Sequence, residues 1–290
     1  MKRFVLITVA ICFQSNVYSA SYTIDEKGIN SVVTSLDGSG VLVGQVEGGR
    51  SGKWGYDAPG NSASNLSPLY VSDGEGGPIN SPRIDTHATA VAAVINADDS
   101  KWELYVGVAP GADLYSHGIM RGDFGMELAA NAIATSHGGD ARAINISAGL
   151  PADSFGGLDG NSSLTKFVDW SSRVHDVLYV VSWKNLGSVE APVPSDDYNG
   201  ITVASSSDRT PNEPPRPPGT PYRYDRFSVV NHIPDQDTDA DGPRTSIDIL
   251  APGENVRSLG HNDEQSTWRD GASFAAPHVT GAVALLHQYF

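Results

Sequence analysis

The sequence predicts an α/β fold of three layers, with a parallel sheet between helices that cover both of its faces. Short apolar runs, typical of buried strands, alternate along the chain with segments in which apolar residues recur at helical spacing. The chain of 290 residues is long enough for one large domain of this kind, and it contains no internal repeat and no linker to a second core.

The N-terminus predicts a secretory signal peptide over residues 1–20. A basic start is followed by an apolar stretch over residues 4–13, which is too short to span a bilayer, and by small residues that suit cleavage near Ala20. The chain's one cysteine, Cys12, lies in this segment, so residues 21–290 have no disulfide. We therefore expect a secreted protein, extracellular or periplasmic, in which residues 21–290 form a single domain.

Apolar runs predict the strands, and Gly and Pro clusters predict the loops between them. Residues 50–84 are rich in Gly, Ser, Asn and Pro and predict a long loop, while the Pro-rich residues 208–222 cannot form a central strand or a helix. The predicted strands cover residues 41–46, 112–117, 143–147, 178–182, 201–205 and 247–250.

Helical spacing predicts helices between the strands. Thr86 and Asp123 are each placed to cap a helix, and a further helix contains Ser273. The apolar residues at this spacing are Val91, Val94 and Ile95 in the first helix, Met126, Ala130, Ile133 and Ala134 in the second, and Leu164, Phe167, Val168 and Val174 in a third.

The segment from Gly271 to Gly281 contains the candidate nucleophile. Gly271 allows a sharp turn, and Ser273 stands where the helix is predicted to begin. Pro277 lacks an N–H, a loss that costs least in the first turns of a helix. A serine in this place has an exposed hydroxyl, a free N–H and a helix dipole beside it, which suits a group that attacks a carbonyl and stabilises an oxyanion. A serine that only caps the helix is the alternative.

His87 and Glu47 are the candidates for the proton-transfer chemistry that a serine nucleophile needs. The unperturbed pKa of histidine suits a general base, and a carboxylate can fix its tautomer. Glu47 follows a predicted buried strand, and strand ends in parallel sheets are where such sheets bind ligands. Asp85 is an alternative carboxylate, but it precedes His87 by two residues and would have to bend back to reach the ring.

These segments resemble, in order, those of the subtilisin-like serine peptidases. The sequence Gly-Ala-Ser-Phe-Ala-Ala-Pro-His-Val-Thr-Gly around Ser273 is similar to the family's Gly-Thr-Ser-x-Ala-x-Pro-His-Val-x-Gly. Asp-Thr-His-Ala-Thr-Ala-Val-Ala around His87 is similar to its histidine segment, and Glu47 stands where the family usually has Asp. The resemblance covers the chain from about residue 38 onwards, and it implies a subtilisin-like fold.

The resemblance also implies roles for individual residues. Ser273 attacks the scissile carbonyl, His87 is the general base and Glu47 orients it. Asn185 donates its side-chain amide to the oxyanion, together with the Ser273 N–H.

Residues around the expected substrate site combine matches and departures. Ser147, Ala148 and Gly149 resemble the family's edge strand, whose backbone pairs with an extended peptide substrate. Trp183 and Lys184 stand where that family has small residues near its primary specificity pocket, so we expect a narrower pocket or a changed preference.

One acidic motif lies outside the resemblance. Asp237, Asp239 and Asp241 are followed by glycine, as at the start of a calcium loop, but the twelfth position is Asp248 instead of the expected Glu. The motif predicts either a structural calcium site or a solvated acidic loop. The chemistry itself requires no cofactor.

The sequence therefore predicts a secreted serine endopeptidase that hydrolyses peptide bonds through an acyl-enzyme on Ser273. The alternative is a binding protein of the same fold with impaired catalysis, favoured by departures such as Glu47 and Ala272; a Ser–Glu–Asp carboxyl peptidase is a further alternative. The net charge of −15 argues against nucleic acid and anionic membranes as partners, so we expect a peptide or protein substrate and a monomer. Because the family continues with another strand and helix, we expect the C-terminal part of the domain to be truncated at Phe290.

Overall fold

A sheet of parallel strands organises the computed structural model, which describes residues 36–74, 83–98, 105–155, 157–185, 192–207, 228–229, 247–254 and 256–290. The strands are β1 (Leu42–Glu47), β2 (Tyr70–Ser72), β3 (Asp113–Gly118), β4 (Ala141–Ile146), β5 (Leu150–Pro151), β6 (Leu178–Ser182), β7 (Pro192–Val193), β8 (Ile201–Ser207), β9 (Ser228–Val229), β10 (Ile249–Pro252), β11 (Val256–Leu259) and β12 (Gln265–Arg269). The α-helices are α1 (Thr86–Asn96), α2 (Gly125–Thr135), α3 (Ser163–His175) and α4 (Ala272–Tyr289). Short 3₁₀ helices lie at Pro59–Asn61, Ala152–Phe155 and His261–Asp263.

The strand order of the main sheet is β10-β8-β6-β4-β1-β3-β2, and every neighbouring pair along this path is parallel. Strand β9 pairs antiparallel with β8, while β5 with β7 and β11 with β12 form separate antiparallel pairs. The predicted fold class is confirmed, because helices cover both faces of this sheet.

Each face of the sheet has its own apolar core. Helices α2 and α3 pack on one face, where Ile133 and Leu164 are fully buried. Helices α1 and α4 pack on the other face and against each other, where Val43 and Ile95 are fully buried. Side chains alternate along β1, so Leu42 and Val46 contribute to the first core and Val43 contributes to the second.

Gly44 in β1 lets α2 lie directly on the sheet. A Cβ atom at this position would lie 2.5 Å from the Cγ2 atom of Ile133, a distance that no packed side chain tolerates. The centre of the sheet is therefore tightly covered, and a glycine is needed where the helix crosses it.

Some predicted boundaries and faces are corrected by the structure. Asp85, and not Thr86, caps α1, because its Oδ1 atom accepts a hydrogen bond from the Ala88 N–H at 2.8 Å. Phe124 precedes α2 with a left-handed φ of 60° and no side-chain cap, so the prediction for Asp123 was wrong. Val174 of α3 is 57% exposed and does not belong to the buried face.

Other predictions for the helices agree with the structure or lie beyond its reach. The four apolar residues predicted for α2 are all buried. No helix in the described part of the chain has both the length and the apolar character to cross a bilayer. The predicted signal peptide at residues 1–20, the Pro-rich residues 208–222 and the acidic motif at Asp237, Asp239 and Asp241 lie outside the described residues.

Candidate active site

Glu47 is the last residue of β1, and its side chain lies on the face that α1 covers. Strand alternation places it on the same side as Val43 and Gln45, and the Gln45 side chain donates to the Ala88 carbonyl of α1 at 2.8 Å. Glu47 is only 2% exposed, and its Oε2 atom is 3.2 Å from Nδ1 of His87. The structure thus brings the predicted carboxylate and the predicted base into direct contact.

Two backbone hydrogen bonds place His87 beside the end of β1. The N–H of Arg50 donates to the Arg83 carbonyl at 2.9 Å, and the N–H of Asp85 donates to the Arg50 carbonyl at 2.9 Å. Gly49 permits this close approach, because a Cβ atom there would lie 2.4 Å from the Arg83 carbonyl oxygen. The chain that enters α1 is therefore fixed against the chain that leaves β1.

Buried ion pairs hold the loop that follows Glu47. Arg50 is 2% exposed, and its guanidinium makes two hydrogen bonds of 2.7 Å to Asp57 and one of 2.5 Å to Asp73. Pairing with two carboxylates offsets the free-energy cost of burying the charge of this guanidinium. This arrangement was not foreseen from the sequence, in which the same segment reads as a polar loop.

Asp85 does not accept a hydrogen bond from Nδ1 of His87, which Glu47 contacts instead. Its Oδ1 atom is occupied by the N-terminus of α1, as described above. Its charge nevertheless acts on both members of the pair, because it raises the pKa of Glu47 and the pKa of His87. Of the two carboxylates considered from the sequence, Glu47 is the one that the structure places on Nδ1.

The pKa values of Glu47 and His87 are both raised, for different reasons. Burial raises the pKa of Glu47, and the hydrogen bond and charge of His87 offset only part of this effect. Burial lowers the pKa of His87, but the hydrogen bond and the charge of Glu47 raise it by more, while the charge of Arg269 lowers it. Glu47 thus stabilises the protonated imidazole, which is the form a general base reaches during catalysis.

Ser273 is the second residue of α4, because the helix begins at Ala272, one residue before the predicted start. Gly271 precedes the helix with a φ of 131°, and a Cβ atom there would lie 2.7 Å from Oδ1 of Asn185, so both the backbone and the space require glycine. The ring of Phe274 lies 5.3 Å from the ring of His87, which places the imidazole beside the first turn of α4.

The hydroxyl of Ser273 is half-buried and has a partner other than the imidazole. Its Oγ atom donates to the Ser147 carbonyl at 3.2 Å, and no hydrogen bond joins Ser273 to His87 in the described part of the chain. A transfer of the hydroxyl proton to His87 therefore requires that the hydrogen bond to the Ser147 carbonyl be broken first.

Two N–H groups near Ser273 are available to an anion. Oδ1 of Asn185 accepts from the Ala272 N–H at 2.8 Å, which assigns the oxygen of this amide and leaves its NH₂ group with no partner among the described residues. Asn185 is exposed, and the Ser273 N–H lies in the first helical turn, where N–H groups have no intrahelical acceptor. The arrangement suits a two-donor oxyanion site.

A cavity of about 490 Å³ lies next to Ser273. Trp183 and Lys184 are each 3% exposed and form part of its wall, with the Lys184 Nζ atom 5.7 Å from the centre of the Trp183 ring. These large side chains therefore do not fill the cavity. Its other lining residues are Ser147, Gly149, Leu150, Pro151, Ser182, Asn185, Pro192 and Ser273.

The stretch predicted to bind substrate through its backbone leads from β4 to this cavity. Ser147, Ala148 and Gly149 follow the last residue of β4 and belong to no strand in the described part of the chain. Ser147 is buried, Ala148 is half-buried and Gly149 is exposed. Ser147 and Gly149 line the same cavity as Ser273.

The structure does not test the predicted calcium site. The three aspartates of the motif lie outside the described residues, and Oδ2 of Asp248 accepts from the Thr202 N–H at 2.8 Å. Within the described ranges, no group of three or more His, Cys, Asp or Glu residues could hold a metal ion.

Comparison with known proteins identifies the relatives of this chain. The model of the subtilase family matches residues 58–290, a range that includes His87, Asn185 and Ser273 but not Glu47. A subtilisin from Bacillus sp. (strain TA39) is 30% identical over 68% of this chain and 45% of its own length, so the chain spans less than half of that relative. Subtilisin BL from Lederbergia lenta is 26% identical over 87% of this chain and 78% of its own length.

Solved structures share the fold at lower identity. MycP1 from Mycobacterium smegmatis has a TM-score of 0.61 and 21% identity, with 99% of this chain and 79% of that chain covered. The A-subunit of the AB5 toxin from E. coli has a TM-score of 0.61 and 19% identity, with 92% of this chain and 85% of that chain covered.

Proposed function

The chain belongs to the subtilase family, and we propose that it is a secreted serine endopeptidase that cleaves peptide bonds through an acyl-enzyme on Ser273. The observation that carries the proposal is the contact between Glu47 and His87 beside the first turn of α4. A buried carboxylate on Nδ1 leaves Nε2 of His87 as the nitrogen that can take a proton from a serine hydroxyl.

In the proposed reaction, Oγ of Ser273 attacks the carbonyl carbon of the peptide bond and His87 takes the hydroxyl proton. The NH₂ group of Asn185 and the N–H of Ser273 hold the oxyanion of the tetrahedral intermediate. The C–N bond then breaks, and the amine leaves with the proton from His87. A water molecule then gives a proton to His87 and attacks the acyl carbon. The ester bond breaks as His87 passes that proton to Oγ of Ser273, which releases the acid and restores the serine hydroxyl.

The substrate would lie as an extended peptide along residues 147–149. Its backbone would meet Ser147, Ala148 and Gly149, and the side chain that precedes the cleaved bond would enter the cavity of about 490 Å³. Because Trp183 and Lys184 form part of the cavity wall, we expect its preference to differ from that of a site walled by small residues.

The route to the cell exterior rests on residues 1–20, which we propose to be a signal peptide on their composition. The domain would then comprise residues 21–290. A calcium ion held by Asp237, Asp239 and Asp241 would be structural and would take no part in the reaction.

Labelling with a fluorophosphonate tests the proposal, because this reagent forms a covalent bond only with an activated serine hydroxyl. We expect mass spectrometry of the folded protein to find the label on Ser273, and we expect Ser273→Ala and His87→Ala to abolish both labelling and peptide cleavage. The Ser162→Ala variant is a matched control, since this serine also lies at the N-terminus of a helix, α3, but has no role in the proposed reaction. A folded protein that neither takes up the label nor cleaves peptides would contradict the proposal.

A binding protein with impaired catalysis is the second candidate. It is favoured by the resting contact of the Ser273 hydroxyl with the Ser147 carbonyl, and by the buried Oε1 atom of Glu47, which has no hydrogen-bond partner within the described residues. This candidate predicts that peptides bind without being cleaved. Cleavage that disappears in the Ser273→Ala variant would exclude it.

A further inference from the structure

Ser273 has a main-chain carbonyl that lacks its regular α-helical donor. In an α-helix, each carbonyl accepts from the N–H four residues later, and for Ser273 that residue is Pro277, which has no N–H. Pro277 is buried in α4, so water is a poor substitute for the missing donor. The helix therefore leaves an acceptor open at the residue that carries the candidate nucleophile.

The side chain of Ser147 supplies the missing donor. Its Oγ atom donates to the Ser273 carbonyl at 2.9 Å, although the two residues are 126 positions apart in the chain. Ser273 in turn donates its hydroxyl to the Ser147 carbonyl at 3.2 Å. Since Ser147 is only 5% exposed, the first of these bonds is sheltered from competing water.

Asn145 determines the direction of the Ser147 hydroxyl. The side-chain amide of Asn145 donates to Oγ of Ser147 at 2.9 Å, so the one hydroxyl proton of Ser147 remains available for the Ser273 carbonyl. Oδ1 of Asn145 accepts from the Thr280 hydroxyl at 3.3 Å, about two turns beyond Ser273 in α4, and the same hydroxyl lies 3.3 Å from the Ala276 carbonyl. Asn145 and Thr280 are fully buried, so a chain of hydrogen bonds runs from β4 to two turns of the helix.

Asn185 fixes the main chain on the N-terminal side of Ser273. The Ala272 N–H, which precedes Ser273, donates to the Asn185 side chain after β6, and the Ser273 carbonyl accepts from the Ser147 side chain after β4. Strands β4 and β6 are neighbours in the sheet. The Cα atom of Ser273 is thus fixed on both sides to adjacent strands, independently of the hydrogen bonds of its own helix.

We propose that the Ser147 side chain is a positioning residue, which replaces the helical donor that Pro277 removes and so fixes Ser273 for attack. This inference rests on the proposed function, and it concerns the hydroxyl of Ser147, separately from any pairing of its backbone with substrate. A displacement of about 1 Å in a reacting group can lower a rate about a hundredfold. Loss of this hydroxyl therefore affects the rate of the chemical step more than it affects substrate binding.

A double-mutant cycle of Ser147→Ala and Pro277→Ala tests the proposal. Alanine at 277 restores an N–H that can donate to the Ser273 carbonyl, and so makes the Ser147 hydroxyl dispensable. We expect Ser147→Ala alone to lower kcat and the rate of fluorophosphonate labelling by about ten- to a hundredfold, with KM little changed because the backbone of residue 147 remains. In the Pro277→Ala background, the same substitution should cost less than threefold.

Two further measurements distinguish positioning by the Ser147 hydroxyl from a general loss of structure. Rates are expressed per folded molecule, and Ser147→Thr, which keeps the hydroxyl, should recover most of the lost kcat. If Ser147→Ala does not fold, Pro277→Ala should restore folding in the double variant. Unchanged kcat and labelling in folded Ser147→Ala, an equal loss in both backgrounds, or a double variant that stays unfolded would each overturn the proposal.

Failure of the proposed function would be recognised separately. If the unmodified chain neither cleaves peptides nor takes up the label, the endopeptidase proposal fails. The cycle can then be repeated with thermal midpoints, and a larger fall in Tm for Ser147→Ala with Pro277 present than with it absent reports the Ser147–Ser273 bond on its own. Equal falls in the two backgrounds would overturn the bond as well.

Discussion

The acid–imidazole half and the nucleophile half of the candidate site are built from different kinds of groups. Glu47 and His87 form an ionisable pair between β1 and α1, and burial and mutual charge shift both of their pKa values. Ser273 is held instead by uncharged amide and hydroxyl groups after β4 and β6. The difference teaches that the charged half contributes both to the rate and to the pH at which the site works, whereas the neutral half contributes to the rate without setting that pH.

Among substitutions that test the difference between the two halves, we expect Glu47→Gln to have the largest effect on peptide cleavage. The amide removes a charge that raises the pKa of His87, so the pKa falls and the acid limb of the kcat/KM profile moves to lower pH. An amide also favours the wrong imidazole tautomer, which lowers kcat about 10⁴-fold in serine peptidases. The measurement is a pH profile of peptide cleavage.

Glu47→Asp is the matched control for this prediction. The shorter side chain keeps the charge but withdraws the carboxylate by about one bond, or roughly 1.5 Å, from its 3.2 Å contact with His87. We expect a smaller loss of kcat than with Gln and a smaller shift of the acid limb. A Gln variant whose acid limb is unmoved would break the distinction between the two halves.

The next effect concerns the nucleophile half. Asn185→Ala removes a neutral donor, and we expect kcat to fall about 10²- to 10³-fold with KM little changed and the acid limb at the same pH. Asn199→Ala is the control, because this exposed amide donates to the Asp169 carbonyl away from the site. A shift of the acid limb in Asn185→Ala would mean that the two halves are electrostatically coupled.

The smallest effect is expected for Arg269→Gln. The charge of Arg269 lowers the pKa of His87, so its removal raises that pKa and moves the acid limb to higher pH. Arg269→Lys keeps the charge and should leave the limb near its original position. The same pH profile measures both variants, and a limb that moves to lower pH in the Gln variant would contradict the assigned sign.

The sequence indicated the charged half well, because strand alternation and helix position are local properties. The apolar run before Glu47 predicts a buried strand, and the structure places this residue at the end of β1 on the face that carries His87. The family resemblance is confirmed by the match over residues 58–290. The roles assigned to Glu47, His87, Asn185 and Ser273 stay predictions that the experiments above address.

The neutral half was harder to foresee, because its contacts join distant parts of the chain. Thr280 and Asn145 are 135 positions apart, and no local pattern predicts that they meet. One signal was available in the sequence: a proline four residues after Ser273 always leaves that carbonyl without its helical donor. Which side chain would replace the donor depended on the packing of α4 against β4.

Short elements were missed for a related reason. The two-residue strands β5 and β7 and the antiparallel pair β11 and β12 carry too few residues, or too mixed a pattern, to show periodicity. Capping was also misassigned at α1, because Asp85 and Thr86 are both good caps and sequence alone does not separate adjacent candidates.

The order of the strands bears on how much of this domain can vary. Glu47, Ser147 and Asn185 come at or just after the ends of β1, β4 and β6, which are consecutive in the sheet and span only about 10 Å. Strands β3 and β2 lie outside them on one margin, and β8 and β10 lie outside them on the other. Insertions at the outermost strands could therefore give the domain new surfaces without moving the three central anchor points.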